Sequence, residues 1–325
     1  MRQEHLHIQI PPFARFFPAF QHKMSEEKSK LVGHLAAAGA YAIFGINIVI
    51  NKDVANSGVV TPIAMFTFRA VGAAILFWLI SAFMPKEKVA LQDMWKIALA
   101  SFVGLFVPQL TFLKAITVTT SIDTSILGSL TPVFTMFIAA LVLKEPVSFK
   151  KAFGVMLSFA GVLILIYNSV HFRGGVEQTQ PLGVVLLLVN TLSFATYLGV
   201  FKPLIARYSV VTFMKWMFLF SVAMSLPFSA GDIVTMDYAS IRPLTALEIG
   251  FVIFFATFVA YFLIPVGQKR IRPTLVGMYT YLQPMIAVII SIVSGLDVIT
   301  PIKVAAGVMA FAGVVIVNGS RAAKS

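Results

Sequence analysis

Ten long apolar runs constrain this chain more than any other feature. They fall at about 31–51, 61–84, 96–116, 122–143, 150–168, 182–202, 210–230, 247–267, 273–295 and 300–318. A bilayer core of about 30 Å is crossed by roughly 20 apolar residues in a helix. The spacing therefore predicts an all-α polytopic membrane protein with ten transmembrane helices. The runs are continuous rather than alternating, which argues against barrel strands. Of 325 residues, 58% are hydrophobic and 12% charged, whereas a soluble domain is about half apolar and about a quarter charged. Lipid is the solvent such a composition requires.

The formal net charge is +12, but its placement argues against a nucleic-acid face. With the N-terminus set inside, 18 basic residues fall in inner segments, among them Lys28, Lys86, Lys144, Lys150, Arg207, Arg270 and Arg321. Four fall outside (Lys52, Arg173, Arg242, Lys303) and three within spans (Arg69, Lys114, Lys215). This bias predicts both termini in the cytoplasm, hence an even number of spans. Residues 1–30 read as a cytoplasmic tail, with no apolar stretch of signal-peptide length over 1–23 and a native start expected at Met24. Residues 319–325 read as a second tail.

The chain repeats itself. Leu130-Thr131-Pro132, Lys144-Glu145 and Phe159-Ala160-Gly161-Val162 return 152 residues later as Leu282-Gln283-Pro284, Leu296-Asp297 and Phe311-Ala312-Gly313-Val314. Earlier in each half the offset is 150: Gly33 with Gly183, Phe44 with Phe194, Lys52 with Lys202. The units are 31–168 and 182–318, joined by a linker at 169–181. Five spans per unit is an odd number, so the second unit enters the membrane from the opposite side. Two inverted five-helix repeats suit alternating access, because each half can take the other's pose.

Several motifs carry a resemblance. They are Phe44-Gly45 followed by Asn47, Thr67-Phe68-Arg69-Ala70, Ser129-Leu130-Thr131-Pro132 with the exit Leu143-Lys144-Glu145-Pro146, and Leu282-Gln283-Pro284. In order and in both halves, they resemble the EamA-type permeases of the drug/metabolite transporter superfamily, over about residues 30–320. The chain departs from the usual pattern at Phe44, where many members have Trp, and at Asp297, where many have Glu. The resemblance implies ten spans, a central cavity, peripheral fifth and tenth spans, and export of small molecules such as amino acids in the cell's inner membrane.

Polar groups in hydrocarbon are costly unless paired or facing water, so each is a candidate site member. Arg69 stands about 12 Å into span two, where a guanidinium can grip a carboxylate or tie helix carbonyls. Lys215 in span seven either lines the cavity or snorkels. Asp123 opens span four, as a counter-ion to Lys114 or Arg69 or as a proton carrier. Asn47, Gln109, Thr131, Asn190, Tyr197, Tyr261, Tyr279 and Gln283 form polar stripes that either bind substrate or tie helices. Pro108, Pro132 and Pro284 break or hinge their helices, or simply kink them.

Cysteine is absent, which excludes disulfides and thiolate metal sites. No phosphate-binding G-x-x-x-x-G-K-[ST] loop, two-His metal spacing or reactive pair is present. The expected protein is not an enzyme and uses no cofactor or metal. Its expected partners are a small-molecule substrate and the lipid bilayer, not nucleic acid, with a homodimer left open. Intramembrane cations outnumber Asp123, which favours an anionic or zwitterionic substrate. A flippase for lipid-linked sugars and a non-transporting membrane subunit are the alternatives.

Overall fold

A backbone in hydrocarbon must satisfy its own hydrogen bonds, so apolar runs of this length close into helices. The computed structural model describes residues 16–119, 124, 127–171, 180–293 and 301–319 and contains no strand among them. The helices are α1 (Phe16–Asn56), α2 (Pro62–Ala82), α3 (Leu91–Ala115), α4 (Thr131–Val142), α5 (Phe149–His171), α6 (Pro181–Val200), α7 (Lys202–Arg207), α8 (Val210–Thr235), α9 (Pro243–Arg270), α10 (Pro273–Met278), α11 (Leu282–Val293) and α12 (Pro301–Gly319). Proline opens α2, α6, α9, α10 and α12, at the position where its fixed φ helps and its missing N–H is not needed.

Among the described residues, α1, α2, α3, α6, α8 and α9 are long and apolar enough to cross a bilayer, while 131–142 and 304–317 are shorter apolar helices. Ten uninterrupted spans are not observed. The expected ninth span is divided by a 3₁₀ turn at Tyr279–Tyr281, with Pro284 two residues into α11. The described part of the fourth is regular only from Thr131, with Pro132 as its second residue. Each proline withholds a backbone donor where its helix restarts. Helix α1 starts at Phe16, inside the stretch read as a tail. A Glu26–Lys30 pair at 2.6 Å, one helical turn apart, supports that extension.

The two halves are geometrically inverted. Where the apolar run of α1 begins, a Cβ on Gly33 would lie 2.7 Å from Arg270 Cβ at the end of α9. At the start of α6, a Cβ on Gly183 would lie 2.2 Å from Thr119, just past the end of α3. Lys52, near the far end of α1, donates to the Ile116 carbonyl at 3.4 Å. The ends of α3 and α9 thus lie at opposite ends of the bundle. Helix α1 packs on α9 and α11, as α6 packs on α3 and α4, and α2 packs on α8. The caps follow the same rule at an offset of 148: Thr61 accepts from Ala64 N at 3.3 Å and Ser209 from Thr212 N at 3.2 Å.

Helices α5 and α12 pack on each other through small residues. A Cβ on Gly313 would stand 2.3 Å from the Gly154 carbonyl oxygen, so only glycine allows this approach. Polar contacts concentrate at the end of the bundle that holds Arg270. Lys151, fully buried, pairs with Glu145 at 2.8 Å, Thr274 donates to the same carboxylate at 3.1 Å, and Arg272 Nε lies 3.9 Å away. Asp93 takes Arg207, Lys96 and the Tyr208 hydroxyl at 3.2, 2.9 and 2.8 Å.

Candidate functional site

Two π-helical turns shape the centre of the bundle: Phe102–Phe106 in α3 and Phe254–Val259 in α9. Their first residues are 152 apart, so they are repeat mates. In π register the N–H of residue 108 would bond Val103, and Pro108 has none. Ser193 of α6 supplies that bond instead, donating to the Val103 carbonyl at 2.7 Å. Asn190 donates to the Pro108 carbonyl, also at 2.7 Å. The second π-turn carries Thr257, whose hydroxyl donates to the Val252 carbonyl five residues back at 2.7 Å.

A cavity of about 90 Å³ is lined by residues just beyond these turns, Pro108, Gln109 and Phe112 of α3 and Tyr261 of α9. Phe44 and Phe194 line it, as do Gln109 and Tyr261, Gly128 and Thr280, Thr131 and Gln283. Each couple is a pair of repeat mates, at offsets of 150 or 152, so the cavity straddles the pseudo-twofold axis. One pair meets directly, with Gln109 Nε2 donating to the Tyr261 hydroxyl. The lining of α2 and α3 (Arg69, Pro108, Gln109, Phe112) belongs to the half of each helix away from the Arg270 end.

Arg69 is 1% exposed and lines the cavity. Its Nε donates to Thr257 Oγ1 at 2.8 Å, while its Nη1 is buried with no hydrogen-bond partner. Asn47 is likewise buried in the lining, with Oδ1 unpartnered. No acidic side chain lines the cavity among the described residues; Asp123 lies outside them.

The structure thus brings together Asn47, Arg69, Pro108, Gln109, Thr131, Asn190, Tyr261 and Gln283 from the sequence reading. Four others sit elsewhere. Lys215 is not in the lining: it donates to Ser81 at 2.7 Å and lies 4.8 Å from the Trp78 ring centroid. The reason is symmetry. Thr67 donates to Ser229 at 2.8 Å, and adding 148 to 67 and to 81 gives 215 and 229. Lys215–Ser81 is thus the mate of a cross-helix tie between α2 and α8. Tyr279 turns away from the cavity to the His34 ring nitrogen at 2.9 Å, because the 3₁₀ turn rotates it off the Thr280–Gln283 face. Tyr197 packs over Gly104, where a Cβ would meet its ring at 2.5 Å, and its hydroxyl is buried without a partner. Lys114 is exposed.

Tyr41, Phe112 and Thr280 were missed as site members. The repeat held the signal for Thr280, which stands three residues before Gln283 as Gly128 stands before Thr131.

Comparison with known proteins agrees with this architecture. A solved chain described as "Crystal structure of protein" superposes with a TM-score of 0.69 over 89% of this chain and 96% of its own, at 15% identity, which shows a shared fold. The uncharacterized transporter YetK of Bacillus subtilis (strain 168) is 24% identical over 81% of this chain and 80% of its own. The uncharacterized transporter YyaM of the same organism is 23% identical over 74% and 77%. The model of the EamA-like transporter family matches residues 31–167 and again 181–319. The chain belongs to the EamA-like transporter family, as a membrane transporter and not an enzyme.

Proposed function

We propose that this protein is a secondary transporter that exports small polar or amphipathic metabolites, such as amino acids, by alternating access between its inverted repeats. One observation carries the reading: the cavity lies on the pseudo-twofold axis and is lined by repeat mates from both halves. Exchange of pose between the halves would move access from one end of that cavity to the other. The Arg270 end is tied by the Glu145–Lys151 and Asp93–Arg207 pairs. Its excess of basic residues makes it the cytoplasmic end, which puts both termini inside and gives ten crossings of the inner membrane. The pose described is then closed to the cytoplasm. A homodimer fits this reading but nothing in it requires one.

The test is metabolite release from cells with and without the protein, followed by untargeted mass spectrometry, with membrane abundance measured in parallel. A compound that leaves faster only with the protein supports export. Accumulation of a compound instead reverses the direction. No change for any compound, with the protein present in the membrane, removes the transport reading.

The flippase reading has one observation of its own. An apolar crevice of about 270 Å³ is lined by Leu31, Tyr279, Leu282, Met285, Phe311 and Val314, with His34 at its edge. A lipid-linked sugar would need such a side opening for its tail. Scrambling of a fluorescent lipid-linked sugar in liposomes separates the two readings, since a soluble-metabolite exporter leaves it in its original leaflet.

A further inference from the structure

We infer that the cavity selects a compact organic monoanion, a short hydroxy-carboxylate, with Arg69 as the group that holds its carboxylate. This rests on the transport reading above and narrows its substrate to one class of small polar metabolite, setting the amino acids named there aside.

The first argument is the charge. Among the described residues, Arg69 is 1% exposed and bonded only at Nε, to Thr257, while Nη1 has no partner. A buried cation without a counter-charge is strongly unfavourable. No acidic side chain in the described lining supplies that charge, so a bound anion would. A guanidinium whose Nε is engaged still presents its two terminal nitrogens, which match the two oxygens of a carboxylate.

The second argument is symmetry. Arg69 corresponds to Met217 at the offset of 148 that relates α2 to α8. Thr257 corresponds to Leu105 at the offset of 152 that relates the π-turns. Met217 and Leu105 are both buried in the apolar core of the bundle. The symmetry-related scaffold position is therefore built from two apolar side chains. The fold does not require a guanidinium here.

The third argument is what surrounds the charge. Phe44, Phe112 and Phe194 form apolar walls, and the polar groups beside them are neutral amides and hydroxyls. Asn47 Oδ1, buried and unpartnered, can accept from a substrate hydroxyl. A neutral amide oxygen does not compensate a buried ammonium, so a zwitterion is disfavoured. The volume of about 90 Å³ is below the roughly 150 Å³ of an engineered cavity that binds benzene. That favours a compact ligand.

The test uses the full chain in liposomes and radiolabelled L-lactate, L-alanine and ethanolamine, which are similar in size and carry a negative, a balanced and a positive charge. Protein-free liposomes give the background. L-lactate should exchange at least tenfold faster than either of the others. Arg69→Gln should lower lactate exchange at least tenfold, with an unchanged elution profile in detergent, and Arg69→Lys should restore part of it. Alanine or ethanolamine moving as fast as lactate overturns the inference, as does no lactate exchange above background. So does an Arg69→Gln protein that moves lactate normally. In each of these cases, metabolite release in cells still decides transport separately: a neutral or cationic compound released there leaves the transport reading standing while this one falls.

Discussion

Replacing Glu145 by Gln tests what the buried carboxylate at the Arg270 end contributes to stability. Glu145 lies in the loop after α4, Lys151 in the first turn of α5, and Thr274 and Arg272 at the start of α10, so the cluster joins both repeats. Lys151 is fully buried and, apart from Glu145, has only the Pro146 carbonyl at 3.5 Å. Removing the carboxylate charge leaves an ammonium in a dry site, which costs about 3–5 kcal/mol. Gln keeps one acceptor oxygen, so the lower end, about 3 kcal/mol, is expected. Lys151→Met should cost less, about 1 kcal/mol, because Glu145 retains Thr274 and Arg272 as partners. In the double variant no charge is stranded, and most of the loss should return. The assay is unfolding of the purified protein in mixed micelles of rising SDS content, followed by tryptophan fluorescence. A Glu145→Gln protein within about 1 kcal/mol of the parent would refute the argument. So would a double variant no more stable than Glu145→Gln alone, because the cost would then not come from the stranded lysine.

Three further outcomes follow from local geometry. Lys144 has φ of 52°, and the Glu145 N–H reaches back to the Ala139 carbonyl at 3.1 Å, the pattern of a left-handed helix cap; Lys144→Gly should raise the unfolding free energy by up to about 1 kcal/mol. Gly313→Ala places a methyl 2.1 Å from Ser158 Oγ and 2.3 Å from the Gly154 carbonyl oxygen; the resulting separation of α5 and α12 should cost about 1–3 kcal/mol in the same assay. Glu87, in the loop before α3, accepts from the Ser209 N–H at 3.0 Å. Partial burial pushes its pKa up, but the bonds from Thr212 and Ser209 and the charge of Lys269 outweigh this, leaving it below the ordinary 4.5. A lowered carboxylate pKa stabilises fully above the unfolded value and progressively less as pH falls through the folded one, so Glu87→Gln should flatten the loss of stability on acidification below about pH 4.5, as read by thermal unfolding across that range.

The helical membrane architecture and the repeat were legible in the sequence because both rest on signals that survive without coordinates: length of apolar runs and recurrence of residues at a fixed offset. What the sequence did not disclose is backbone register. A π-turn adds one residue to a helical turn and leaves hydropathy unchanged, so neither Phe102–Phe106 nor Phe254–Val259 stands out among apolar neighbours. Those turns are what bring Thr257 to Arg69 and open the Val103 carbonyl to Ser193. Tyr279 failed as a cavity residue for the same reason, since a 3₁₀ turn changes the angle between it and Gln283. Lys215 failed differently. Its charge drew attention, while its role is set by the position it inherits from Thr67.

That inheritance separates scaffold from chemistry. Where an interaction is found at both mates, as with the Thr61 and Ser209 caps or the Thr67–Ser229 and Lys215–Ser81 ties, the fold needs it in each orientation. Where only one mate has it, the fold does without it once, and some other demand must explain it. Arg69–Thr257 is such a case beside Met217 and Leu105. Asp93–Arg207 is another: the offsets of 152 and 148 carry it to Thr245 and Val59, which cannot form an ion pair. The first asymmetry lies in the cavity, where a ligand would act on it. The second lies at one end of the bundle, so the two poses of an alternating-access cycle would not close with the same contacts. An inverted repeat with identical ends would populate its two poses equally. In such a cycle the ion pairs described at the Arg270 end would favour the pose in which that end is shut, and a substrate would have to bind the other pose more tightly to reverse the bias.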